Sequence, residues 1–217
     1  MSFSNFFVYN ETVETESRWF HPRHPRGGSA SGILGWAREL DIYEPSERRA
    51  TDPMIDYDQI LPNLYVGSCP KSLDDIQLLK EQIRITAVLN LQTDEDFRQW
   101  SIHWPAMETF YHEMGMRVER APMRDFDWEN QRECLPRAVE ILAELLSSGA
   151  VTYLHCTVGV GRSPLVAMAY LYWQGGMDRD GAIRHVHERR VCAPYEDLLH
   201  PDAQNLEAMT KGKKSDG

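Results

Sequence analysis

The sequence of 217 residues contains no run of about 18 apolar residues, so no segment is suited to cross a bilayer as a helix, and no membrane partner is expected. Its opening stretch, MSFSNFFVYNETVETESRWF, lacks a basic start followed by an apolar run. A secretory leader is therefore not expected, and Glu11, Glu14 and Glu16 speak against an acid-poor transit peptide. Cysteine is scarce. Cys69, Cys134, Cys156 and Cys192 form no CxxC pair and no metal-ligand spacing, which fits a reducing compartment and an expected cytoplasmic location. No sustained basic stretch exists, and the formal net charge is -10. Nucleic acid is thus not an expected partner, and any field for an anionic substrate must be local to a site. No internal repeat is present.

What is present suffices for a core. Apolar residues make up 42% of the chain, and the length fits one domain of about 150 residues with an extension. Residues 1–55 read as an N-terminal extension, with HPRHPRGGSASG as a loop or linker and a short helix over Ile33–Leu40. His21 and His24 have no third ligand nearby and read as loop histidines, so no metal is expected. From residue 56 to 210 the pattern alternates. Strands are expected in NLYVGS, ITAVLNLQ, MRVERAPM and AVTYLHC. Helices are expected over Ser72–Gln82 (with Ser72 as N-cap), Met107–Met114, Leu135–Ser148 closed by Gly149, Arg162–Gln174, Asp178–Arg189 and Pro201–Met209. RDFDWENQ is expected to be a loop, and 211–217 a disordered tail. Alternating strands and helices predict an α/β fold with a central, mostly parallel sheet flanked by helices.

One stretch carries chemistry: YLHCTVGVGRSPLVAMAYLYW, from Tyr153 to Trp173. Cys156 ends a strand, and a helix begins near Arg162. In an open α/β sheet, ligands sit at the carboxyl ends of strands. The intervening Thr157, Val158, Gly159, Val160 and Gly161 can turn backbone N–H groups inward as an anion cradle at a helix N-terminus. Glycine permits close approach and positive φ. The same field favours the thiolate of Cys156. Arg162 presents a planar fork for two phosphate oxygens. A nucleophile inside a phosphate cradle points to phosphoryl transfer to sulfur, and Ser163 can hydrogen-bond that sulfur. No Gly-Lys-Ser/Thr follows the glycines, so the loop is not a nucleotide loop. With Arg162 and the amides neutralising the phosphate, no cofactor is expected.

The reaction also needs a proton donor for the departing oxygen. MRDFDWEN holds Asp125 and Asp127, and each has the alternative of a helix N-cap or a solvated charge. His155 precedes the nucleophile, faces the other way along a strand, and is expected to support the loop rather than to act as an acid.

HCTVGVGRS with the upstream RDFD resembles the cysteine-dependent dual-specificity phosphatases, whose fold is that of the protein tyrosine phosphatases. Within that family, LYVGSCPKSLDDIQLLKEQIRITAVLNLQTDEDF and ERRVCAPYEDLLHPDAQN resemble stretches of the laforin-like and plant starch-excess glucan phosphatases. The resemblance spans about Tyr57 to Leu206. It implies phosphomonoester hydrolysis on a phosphorylated glucan and, with the need for a general acid, favours Asp125 over Asp127. Sugar rings stack on aromatic faces, so the implied substrate-binding candidates are Phe126, Trp128, Trp100, Trp104 and Tyr195. Tyr170 and Trp173 are expected in the core. The alternative substrates are a phosphoprotein carrying phosphotyrosine, phosphoserine or phosphothreonine and, against the neutral Thr157, Val158 and Val160, a phosphoinositide.

Overall fold

The computed structural model describes residues 55–199. The expected helices Ile33–Leu40 and Pro201–Met209, the histidine loop and the tail lie outside the described residues. Five strands form one sheet: β1 (Tyr57–Leu61), β2 (Leu64–Gly67), β3 (Ala87–Asn90), β4 (Arg117–Arg120) and β5 (Thr152–His155). Their order is β1-β2-β5-β3-β4. β1 and β2 pair antiparallel, and every other pair is parallel. The mostly parallel sheet is as expected. β1 was not, because a short edge strand leaves little periodicity. It meets β2 at a tight turn over Pro62 and Asn63, whose proline and asparagine suit a turn.

The helices are α1 (Leu73–Glu81), α2 (Asp94–Gln99), α3 (Trp104–Glu113), α4 (Trp128–Ser147), α5 (Arg162–Trp173) and α6 (Arg179–His187), followed by a 3₁₀ turn at Glu196–Leu199. Ser72 caps α1 in a reciprocal capping box with Asp75. Gly149 follows α4 at φ +82°, as a helix stop requires. Two helices start earlier than their apolar periodicity suggests. α3 begins at Trp104, with Pro105 in its first turn, where the missing N–H does no harm. α4 begins at Trp128, so WENQ, expected as loop, is helix. Asp127 caps it, accepting from the Asn130 N–H at 2.9 Å, and Pro136 is tolerated inside its 20 residues. α2 was not anticipated. Its start is a second capping box, Thr93 with Asp96.

Alternation along the central strands divides the core into two layers. Leu64, Val66, Leu89 and Leu154 face α4, α5 and α6. Val88 and Tyr153 face the opposite layer, with Ile76, Leu79, Phe97, Trp104 and Tyr111. α5 is sheathed on nearly all sides, burying Leu165, Val166, Met168 and Leu171 among others. At about 1.5–3 kcal/mol for each large side chain, that burial anchors the helix whose first turn carries Arg162.

Candidate active site

β5 ends at His155, and the chain turns through residues 156–161 before α5 begins at Arg162. Cys156 is buried, on the same side of the sheet as the α4–α6 core. Its Sγ receives the Gly159 N–H at 3.3 Å and lies 3.4 Å from Ser163 Oγ. The single Ser163 proton can turn to that sulfur or to the Gly67 carbonyl, also 3.4 Å away.

The loop is shaped from outside. The Thr157 carbonyl accepts from the Cys69 N–H at 3.0 Å, that of Gly159 from Arg190 Nε at 2.6 Å, and that of Val160 from the Ala193 N–H at 2.9 Å. Across a trans peptide the N–H opposes the C=O, so the amides of Val158, Val160 and Gly161 turn the other way. Gly159 stands at φ +81°, and a Cβ there would sit 2.5 Å from the Gly67 backbone and 2.6 Å from Arg190 Nη2. Glycine is therefore required both by dihedral and by space. Val158 is half-buried, Val160 buried, and Gly161 forms the start of α5.

Arg162 is fully buried. Its Nη1 donates to Asp96 Oδ2 at 2.9 Å and to the Met123 carbonyl at 2.9 Å. Its Nη2 reaches Asp96 Oδ1 at 3.2 Å, Thr157 Oγ1 at 3.0 Å and Asp125 Oδ2 at 3.1 Å. The Nη1/Nη2 edge of the guanidinium is therefore given to Asp96. On the other edge, Nε is buried with no partner among the described residues, and Nη2 can meet a second oxygen beside it by releasing Asp125. Although burial alone would lower its pKa, Cys156, Asp125 and Asp96 together push it above the ordinary arginine value, so the group stays charged.

Asp96 was missed by the sequence reading. Burial works to raise its carboxyl pKa, but the hydrogen bonds and charge of Arg162, aided by Thr93, hold it below the ordinary value. Thr157 Oγ1 donates to Asp96 Oδ1 at 3.1 Å and accepts from Gln92 Nε2 at 3.2 Å. Thr157 thus contributes a brace with its side chain as well as a backbone to the loop. Arg190, also missed, ties the loop to the edge of the domain. Besides Gly159 it holds Asp58 and Asp56, each at 2.7 Å. The one signal for Asp96 was the T-x-x-D capping box. Nothing local marks Arg190.

Asp125 is half-buried, and burial raises its carboxyl pKa against the opposing charge of Arg162. Asp127 takes the N-cap alternative and pairs with Arg124 at 3.1 Å. The acid loop is braced by Asn130 Oδ1, which accepts from the Arg124 N–H at 2.6 Å, and by Gln131 Nε2, which donates to the Arg124 carbonyl. His155 is wholly buried, and its Nδ1–H donates to the Cys156 carbonyl at 3.0 Å. Burial lowers its pKa to about 4, so it is neutral and cannot serve as an acid near pH 7.

The aromatic candidates separate. Phe126 and Trp128 are exposed, at 46% and 40%, and Phe126 sits in the left-handed region at φ +55°. Arg132 lies over the Trp128 ring at 5.5 Å. Tyr195 is half-buried. Burial, and after it the charges of Asp125 and Asp127, push its hydroxyl pKa up. Trp104 is a correction: it is buried, stacked on Phe97 at 5.0 Å, and belongs to the core because α3 starts early enough to turn it inward. Trp100 ends α2, half-buried under Lys71 at 5.3 Å, and is tied to the entry of α1 rather than to the acid loop. Tyr170 and Trp173 pack against the core.

A thiol, an orienting carboxylate pair and a buried guanidinium around an amide-lined turn can hold a phosphoryl group and accept it on sulfur. Residues 64–198 match the family model "Dual specificity phosphatase, catalytic domain", and the chain belongs to that family of cysteine-based phosphoric monoester hydrolases. It is 36% identical over 127 residues to mouse laforin, covering 54% of this chain and 38% of laforin. It is 31% identical over 154 residues to the amyloplastic phosphoglucan phosphatase DSP4 of Castanea sativa, covering 70% of this chain and 41% of that protein. The chain thus spans about two fifths of these relatives' length. The solved structure of kinase associated phosphatase shares the fold, with a TM-score of 0.58 at 20% identity, over 74% of this chain and 99% of that one.

Proposed function

We propose that the chain removes phosphate from a phosphorylated glucan through a cysteinyl-phosphate. Cys156 Sγ attacks phosphorus as the P–O bond to the sugar breaks, and Asp125 gives its proton to the departing oxygen. The Arg162 Nε/Nη2 edge and the loop amides take the charge of the three remaining oxygens. Asp125, now a base, draws a proton from water as that water attacks phosphorus. The S–P bond breaks, and Ser163 Oγ steadies the leaving thiolate.

The observation that carries the glucan reading is the exposed pair Phe126 and Trp128 on either side of Asp127 in the acid loop. Apolar ring faces next to the acid suit the faces of sugars. The Castanea sativa relative is a phosphoglucan phosphatase, which supports the same substrate class. The decisive measurement is orthophosphate release from solubilised phosphorylated starch against release from phosphopeptides. Starch is expected to be preferred, and Phe126→Ala and Trp128→Ala are expected to weaken only the starch reaction. A wide preference for peptide overturns the reading. A phosphoprotein substrate is the second reading, favoured by 33% identity over 128 residues to human dual specificity protein phosphatase 9.

A further inference from the structure

Beyond the phosphate loop, a second thiol has a base and a carboxylate in line with it. His187 closes α6, Cys192 follows in the segment after it, and Glu196 opens the 3₁₀ turn. Cys192 Sγ lies 3.6 Å from His187 Nδ1, and His187 Nε2 lies 2.6 Å from Glu196 Oε1. A carboxylate only accepts, so Nε2 carries the proton given to Glu196. That leaves Nδ1 to take the proton of the thiol. Nucleophile, base and orienting carboxylate in this order are the arrangement that activates a thiol. His187 is pushed up to about 10, first by Cys192 and then by Glu196. The Glu196 end is itself held, with Arg179 Nη2 donating to the Glu196 carbonyl at 3.3 Å.

The other cysteines outside the active site lack this setting. Cys69 is buried, and burial pushes its thiol up to about 12. Cys134 is half-buried, and burial followed by Glu133 raises its pKa. Cys192 is also placed to matter. Two residues before it, Arg190 grips the Gly159 carbonyl, and one residue after it the Ala193 N–H grips the Val160 carbonyl. The segment that carries Cys192 is therefore bonded to the catalytic loop on both sides of the thiol.

We propose that Cys192, activated by His187 and Glu196, is a second reactive thiol that exchanges with small soluble disulfides, and that capping it loosens the phosphate loop. The Cys192 thiolate attacks one sulfur of the disulfide, a new S–S bond forms as the old one breaks, and the expelled thiolate takes the proton from the His187 imidazolium. No other oxidant is consumed, and excess thiol reverses the exchange. The cap adds bulk at a half-buried position, so the Arg190–Ala193 segment must shift and its two bonds to the loop lengthen.

The test uses oxidised glutathione on the full chain, with the adduct at each cysteine followed by peptide mass. In a Cys156→Ser background, Cys192 is expected to be capped about tenfold faster than Cys134, and His187→Gln or Glu196→Gln to remove most of that advantage. Equal rates at the two cysteines, or an advantage untouched by His187→Gln in a chain whose thermal melt is unchanged, overturn the proposal. With Cys156 intact, Cys192→Ser is expected to keep full aryl phosphatase activity. Capping confined by mass to Cys192 is expected to lower kcat severalfold, with recovery in dithiothreitol. An adduct at Cys192 with unchanged kcat overturns the link to the loop.

Discussion

Replacing Asp96 by asparagine should disable catalysis without removing any group that meets phosphorus. Oδ2 of Asp96 accepts from the Thr93 N–H and Thr93 Oγ1, both at 2.8 Å, and from Arg162 Nη1 at 2.9 Å. Oδ1 accepts from Thr157 Oγ1 and Arg162 Nη2. Every one of these neighbours donates, so an amide –NH₂ in either position meets donors. The buried Arg162 charge then loses its best partner, and breaking a buried pair by removing one member costs about 3–5 kcal/mol. A guanidinium released from its fork drifts, and a displacement of about 1 Å at a reacting centre lowers the rate about 10²-fold. The assay is kcat and KM on an aryl phosphate at a temperature well below the variant's melt, paired with urea unfolding. A double-mutant cycle with Arg162→Lys isolates the route. If Asp96 acts through Arg162, the double variant should be little worse than Arg162→Lys alone. Turnover within about twofold of the native chain, against that 10²-fold expectation, or losses that simply add, would refute the reasoning.

Asp125→Asn should lower kcat by about 10²–10⁴. Burial raises the Asp125 pKa, and an acid must be protonated to act, so native activity falls as pH rises through that value. The variant should lose this fall on the basic side; if the fall persists, the acid lies elsewhere, with Asp127 first to test. Gly159→Ala forces a Cβ against Gly67 and Arg190 and should lower kcat/KM by about 10²-fold through the opened loop; near-native turnover would show that the closure is unimportant. His155 is held neutral by burial, with its pKa lowered from 6.5 to about 4. Its contribution to stability is in place above pH 6.5 and is lost as pH falls towards 4, at about 1.4 kcal/mol per pH unit. Urea midpoints across that range should therefore fall more steeply for the native chain than for His155→Gln, and equal slopes would count against a neutral buried ring.

The alternating pattern of strands and helices, the nucleophile and the loop were legible in the chain because each is a local property. A run of β-branched and apolar residues makes a buried strand, glycine supplies positive φ, and Cys156 and Arg162 lie six positions apart across one turn. Boundaries were less legible. The first turn of α4 is WENQ, polar enough to look like loop, and it is helical because Asp127 caps it and the apolar face begins a turn later. β1 has a half-buried pattern and gains its pairing only from the turn that brings β2 alongside.

Sequence alone determined which atoms could do the chemistry: a thiol, a guanidinium, a run of amides and two aspartates close upstream. Folding decided which atoms they meet. It set Asp96, 66 positions before Arg162, against the guanidinium, turned Asp127 into a helix cap, sent Trp104 into the core, and fastened the loop with Arg190. These are pairings between distant segments, set by strand order and helix packing. No short window of residues carries information about a partner that only sheet topology brings within reach.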